Sequence, residues 1–327
     1  MNRKQFLATA AGAVAFAAET SPRYPEQLSE IYPVPPLARK KDARRSINFP
    51  ENEKLFRYLK DGGVTRVVYG GNAFLYQITM AEYAELTHWL GGLTSQAVIV
   101  PAVGPSYGRA MDQVPLIRRY KFPSVLVLPT SDPRDAAGLE RGLREIADAC
   151  GVPVSLYVKH ETDYGDDQEA GMDVIGRLVD SKVCSSIKYA IVRKNPAVDP
   201  YLTAFLKRVP ASRVISGIGE GPAVVHLRDF KLTGFTTGSG VLAPKLCRAL
   251  LNACVAKDWE KAEKVRAAFL PLEELRDLWG PPRVLHHAVE LAGIAETGPI
   301  PPFVSELSPA QIDRVRPAGK DLRERNS

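Results

Sequence analysis

The chain has 327 residues, of which 45% are hydrophobic and 24% charged, with a formal net charge of +6. That length holds one large domain or two ordinary ones, and the ordinary apolar share excludes a disordered chain. The positive charge gathers in "ARKKDARR" (38–45) and "RVRPAGKDLRERNS" (314–327) without interleaved aromatics, which fits solvated faces and speaks against nucleic-acid binding.

In chain order, "MNRKQFLATAAGAVAFAAETS" comes first: basic Arg3 and Lys4, an apolar run over 6–18 too short for a membrane span, and a small-residue site at Ala15-Phe16-Ala17. "RKQFL" resembles a twin-arginine export signal with Lys4 in place of the second arginine, so residues 1–20 are expected to direct export, to a periplasmic location. The alternative is a short amphipathic helix on a cytoplasmic protein. No later segment is apolar enough to cross a bilayer, so no membrane contact is expected once the signal is removed.

Short apolar runs then alternate with helical segments, the rhythm of βα units. Strands are expected near 30–35, 64–69, 97–103, 124–128, 152–158, 185–189, 214–217 and 234–237. Between them, "DAAGLERGLREIADAC" (135–150) carries Leu139, Leu143, Ile146 and Ala147 at helical spacing, with Asp135 as N-cap and Gly151 as stop. Eight strands in about 210 residues fit a (β/α)8 TIM barrel over 30–240 better than an open doubly wound sheet. No G-x-G-x-x-G follows the first strand to suggest a dinucleotide. From Leu242 the strand signals stop, and a helical extension of about three helices is expected over 241–308, broken at Pro271 and at Gly280-Pro281-Pro282, before a polar tail at 309–327.

Barrel active sites sit at the C-terminal ends of the strands. In "SSIKYAIVRKN" (185–195), alternation puts Ser186, Lys188 and Ala190 on the inner face, and in "VPVSLYV" it puts Ser155 and Tyr157 there, one strand away. A low-dielectric pocket favours a neutral amine, which attacks a carbonyl to give a Schiff base, and a nearby phenol can shuttle protons. In "VVYGGNAFLYQIT" (67–79), Gly70, Gly71 and Asn72 offer backbone N–H groups and an amide suited to a carboxylate, although a plain tight βα loop would read the same way. Metal ligation finds little support. Neighbours on a helix such as His286 and His287 point about 100° apart, and His160, Glu161, Asp163, Asp166 and Asp167 read better as a solvated loop than as a cation site. The cysteines, Cys150, Cys184, Cys247 and Cys254, form no C-x-x-C pair and read as small buried residues.

Taken in this order, the pieces resemble the dihydrodipicolinate synthase / N-acetylneuraminate lyase family of Schiff-base aldolases, from about Ile31 to Leu307. "SSIKYA" is similar to the family's strand around its imine-forming lysine, which falls on Lys188, and "PVSLY" to the strand ending in its catalytic tyrosine, which falls on Tyr157. "GGNAFLYQIT" stands where the family has its carboxylate-binding G-T-T-G-E loop, while "SGIGE", with Gly217, and "GFTTGSG" stand at the seventh and eighth strand loops. There are departures. Gly71 and Asn72 replace two threonines. "LPTSDP" leaves Thr130 or Ser131 where a second tyrosine crosses a subunit interface. "VKHETD" lacks the synthase arginine, whose place Lys159 or His160 could take. The resemblance implies a lyase that uses a covalent imine through Lys188 and no other cofactor, with Ser131, Lys159 and Gly217 near a small-molecule 2-oxo acid or 2-oxo-3-deoxy sugar acid, in a homodimer or homotetramer. The alternatives are a non-catalytic family member that binds a 2-oxo acid or a partner, and 4-hydroxy-tetrahydrodipicolinate synthase proper.

Overall fold

Apolar side chains that would bury only one face of an isolated strand become fully covered when each strand is followed by a helix that returns it in parallel. The computed structural model describes residues 29–326, so the expected leader at 1–20 lies outside the described residues. Within them the chain runs β1 (Ile31–Pro33), α1 (Phe49–Asp61), β2 (Arg66–Tyr69), α2 (Met80–Leu93), β3 (Val98–Val103), α3 (Tyr107–Ile117), β4 (Val125–Val127) and α4 (Ala136–Cys150). It continues through β5 (Val154–Val158), α5 (Gln168–Asp180), β6 (Cys184–Tyr189), α6 (Pro200–Phe205), β7 (Val214–Ser216), α7 (Ala223–Arg228) and β8 (Phe235–Thr237). All strand pairings are parallel, and β1 pairs with β8. The sheet order β1-β8-β7-β6-β5-β4-β3-β2 leaves β1 and β2 packed together without a ladder, so the barrel is nearly closed. This is the expected TIM barrel.

Local chemistry fixes the helices. Asp135 accepts a hydrogen bond from the Gly138 N–H at 2.8 Å, and Gly151 closes α4 at φ +71°, as the sequence predicts. Thr79 and Glu82 form a reciprocal capping box on α2. The apolar faces of the helices meet the outward-facing strand residues, such as Val154, Leu156 and Val158, all fully buried.

The C-terminal region is more helical than expected. α8 (Pro244–Val255) completes the barrel's eighth unit, and α9 (Trp259–Ala267), α10 (Leu270–Trp279) and α11 (Pro281–Leu291) follow. The expected polar tail folds into α12 (Pro309–Glu324), capped by Ser308 and packed on α10 and α11 through Val315 and Leu322. Its charges hid a sparse apolar stripe with wide spacing. The four cysteines are buried, and none forms a disulfide among the described residues.

Candidate active site

Parallel pairing of β5 with β6 sets Ser155 beside Ser186 and Tyr157 beside Lys188. Alternation then turns all four side chains into the barrel. Lys188 is 8% exposed, and its Nζ lies 4.0 Å from the centre of the Tyr157 ring. Among the described residues that amine makes no hydrogen bond or ion pair. A buried amine with an aromatic face for a neighbour and no carboxylate to hold it is free to meet a carbonyl.

Lys188 and Tyr157 line a cavity of about 430 Å³ at the C-terminal mouth of the barrel, within the usual size of small-molecule sites. Lys188 also borders a second space of about 250 Å³ deeper in the barrel, walled in part by Ser155 and Ser186, whose hydroxyls share a hydrogen bond of 2.8 Å. Small residues on the inner face thus leave room around the amine, with Ser186 below it and Ala190 above.

Of the other predicted residues, Gly71, Asn72, Lys159 and Gly217 line the mouth cavity. Gly71 and Asn72 begin a 3₁₀ turn, so their N–H groups precede its internal hydrogen bonds. The Asn72 amide differs from expectation: it donates to the Val34 carbonyl at 2.7 Å, tying the loop to the end of β1. Gly70 is buried beneath the loop against Leu126. Gly217 is required for close approach, since a Cβ there would stand 2.5 Å from the Tyr189 carbonyl oxygen. Ser131 is exposed in the loop before α4 and does not line this cavity. Tyr107, at the start of α3, lines no part of this cavity, and its hydroxyl donates to Glu145 at 2.6 Å.

The acidic loop after β5 is folded by Asp163, whose Oδ2 accepts from the N–H groups of Lys159 at 2.6 Å and His160 at 2.9 Å. No cluster of ligating side chains able to hold a metal occurs among the described residues. His286 is buried with Nε2 2.9 Å from the Gly298 carbonyl, and burial lowers its pKa to about 4. A second clamp joins the loops after β5 and β6: Arg193 bonds Glu161 and, at 3.0 Å, Asp199, which also accepts from the Tyr189 hydroxyl at 2.7 Å.

Two groups join the site that the strand motifs did not place there. Tyr76 lines the cavity, and burial, then the nearby Tyr157 and Asp163, raise the pKa of its phenol. No hydrogen bond links it to Tyr157 among the described residues. From α10, Glu273, Arg276 and Asp277 also reach the wall. Their sequence signal was only that of a charged helix face.

No protein-family model matches the chain. The 4-hydroxy-tetrahydrodipicolinate synthase of Afipia carboxidovorans is 25% identical over 250 residues, spanning 73% of this chain and 78% of that protein. The crystal structure of dihydrodipicolinate synthase from Bacillus clausii superposes with a TM-score of 0.77 at 20% identity, covering 89% of this chain and 97% of the other. The Oceanobacillus iheyensis structure gives 0.77 at 23%, covering 90% and 97%. At these identities the two structures establish the shared fold. In sequence and in fold alike, the chain resembles the dihydrodipicolinate synthase family, as the motifs around Lys188 and Tyr157 led us to expect.

Proposed function

We propose that the protein is a Schiff-base lyase acting on a pyruvate-like 2-oxo acid or a 2-oxo-3-deoxy sugar acid. The observation that carries this reading is the buried Lys188 amine set against the Tyr157 ring in a mouth cavity. The name of the Afipia relative supports it. In the proposed reaction the Lys188 amine adds to the C2 carbonyl, water leaves, and the protonated imine draws electrons from the C3 side. Having given its proton to the water that leaves C2, the Tyr157 phenolate takes the proton of the C4 hydroxyl as the C3–C4 bond breaks, leaving an aldehyde and an enamine that is protonated at C3 and hydrolysed to free pyruvate. In a dehydration it instead takes a C3 proton and passes it to the C4 hydroxyl, which leaves as water. The N–H groups of Gly71 and Asn72 hold the carboxylate, and Lys159 and Gly217 line the space for the rest of the substrate. The imine is itself the electron sink, so the reaction as proposed uses no other cofactor.

The oligomer implied by the resemblance, a homodimer or homotetramer, is part of this proposal. In it Ser131, away from the cavity of its own chain, would face a subunit boundary. The synthase reaction proper carries the relative's name, but the replaced threonines at Gly71 and Asn72 and the missing arginine after Tyr157 weigh against it. A non-catalytic binder is the second reading, favoured by a Tyr157 hydroxyl without a hydrogen-bond partner among the described residues. A panel of 2-oxo-3-deoxy sugar acids, with release of pyruvate or of water (read from the product mass) as readout, separates the readings. The lyase reading expects turnover of at least one member and a loss of about a thousandfold or more in Lys188→Ala. Binding without release across the panel would favour the binder.

A further inference from the structure

One wall of the mouth cavity is built by α10, which brings Glu273, Arg276 and Asp277 to it. Arg276 is 6% exposed and lines the cavity. Its Nη1 bonds Glu273 and lies 3.4 Å from the Ser239 hydroxyl, which also donates to Glu273. Nε is buried without any hydrogen-bond partner. Nη2 lies against Gly238, where a Cβ would stand 2.2 Å away, so only glycine leaves that side of the guanidinium in place. The Nη1 side of the fork is therefore spent inside the protein. Nη2 makes no hydrogen bond among the described residues, which leaves it as the donor of this cavity-lining guanidinium for a carboxylate; Nε has no open surface of its own and joins it only if the guanidinium turns.

An unsatisfied buried donor is costly unless a ligand completes it. The charges around it suit an anion. Lys159, Lys188 and Arg276 line the cavity against Glu273 and Asp277, and burial, then Glu273, raise the pKa of the Asp277 carboxyl. The cavity is also large for a three-carbon acid, at about 430 Å³. With the 2-oxo end taken by Lys188 and its carboxylate by the Gly71 loop, Arg276 is left for a different part of the substrate.

We infer that Arg276 holds a second carboxylate, so that the preferred substrates are dicarboxylic 2-oxo acids. This deepens the imine reading and rests on it for the placing of the 2-oxo end. The test compares 2-oxoglutarate with 2-oxopentanoate, which has the same chain length and no second carboxylate, by calorimetric binding to the wild type, Arg276→Lys and Arg276→Met. Arg276→Lys keeps a cation beside Glu273 while removing the fork. The expected result is tighter binding of the diacid by roughly tenfold or more in the wild type, falling to within about twofold in both variants, with the monoacid still bound. A ratio near one in the wild type, a ratio that survives both substitutions, or loss of both ligands in both variants overturns the assignment. Borohydride trapping of pyruvate run alongside reports on Lys188 alone, so failure of the imine reading registers separately from failure of the Arg276 assignment.

Discussion

At the scale of single residues, the proposed division of labour has Lys188 as nucleophile and Tyr157 as proton carrier. Tyr157→Phe keeps the ring under the amine and removes the hydroxyl, so turnover should fall by roughly a hundred- to ten-thousandfold while imine trapping on Lys188 survives. Steady-state rates and trapping measured on the same preparation check this, and a variant that retains full turnover would remove Tyr157 from the chemistry. These two residues were legible in the sequence because strand alternation is local, and consecutive strands of a parallel barrel are neighbours. Arg276 was not. Its approach to Gly238 depends on how α10 packs over the barrel mouth, which no short pattern encodes. The Asn72 amide misled for a related reason: its partner, the Val34 carbonyl, comes from a different strand end.

Between elements, the site depends on how closely β7 meets β6 and how firmly the following loops are held. Gly217→Ala would drive a methyl group to 2.5 Å from the Tyr189 carbonyl oxygen, beside Lys188. Crowding of this kind costs about 1–3 kcal/mol, and the shift of β6 should lower turnover as well. Denaturant unfolding with parallel rate measurements checks both effects, and an alanine variant with unchanged stability and rate contradicts the close approach. Asp199 is 3% exposed and joins Tyr189 to Arg193. Asp199→Ala should lower stability by about 1–3 kcal/mol in denaturant unfolding, because it leaves the buried Tyr189 phenol without its acceptor and Arg193 with Glu161 alone. Strand positions were readable to within a residue or two from apolar runs and punctuation. The loop clamps were not, since Arg193, Glu161 and Asp199 each look like ordinary surface charges until the loops are brought together.

Across the whole molecule, one buried acid ties the loop after β7 to β8 and α8. Glu220, just after β7, accepts hydrogen bonds from Thr237 on β8, from the Gly240 N–H at 3.1 Å and from the Cys247 thiol of α8 at 3.5 Å. Burial, then the charge of Glu273, push its pKa from 4.5 up to about 8. The folded state therefore keeps this proton across a range where the unfolded chain has released it, and the associated stability declines as pH rises from about 4.5 toward about 8. Glu220→Gln should flatten that part of the pH dependence, as read from urea midpoints at pH 5 and pH 8, and parallel slopes in the two proteins would contradict a protonated Glu220. At this scale the barrel was legible from its eight-fold rhythm, whereas α12 was not, because its buried Val315 and Leu322 are outnumbered by charges. The central claim, that Lys188 forms the imine, is tested most directly by borohydride reduction in the presence of pyruvate, followed by digestion and peptide mass mapping. The expected product is a reduced pyruvate adduct on the peptide bearing Lys188 and none in Lys188→Ala. An adduct on Lys159 instead, or none on any lysine across several 2-oxo acids, would contradict it.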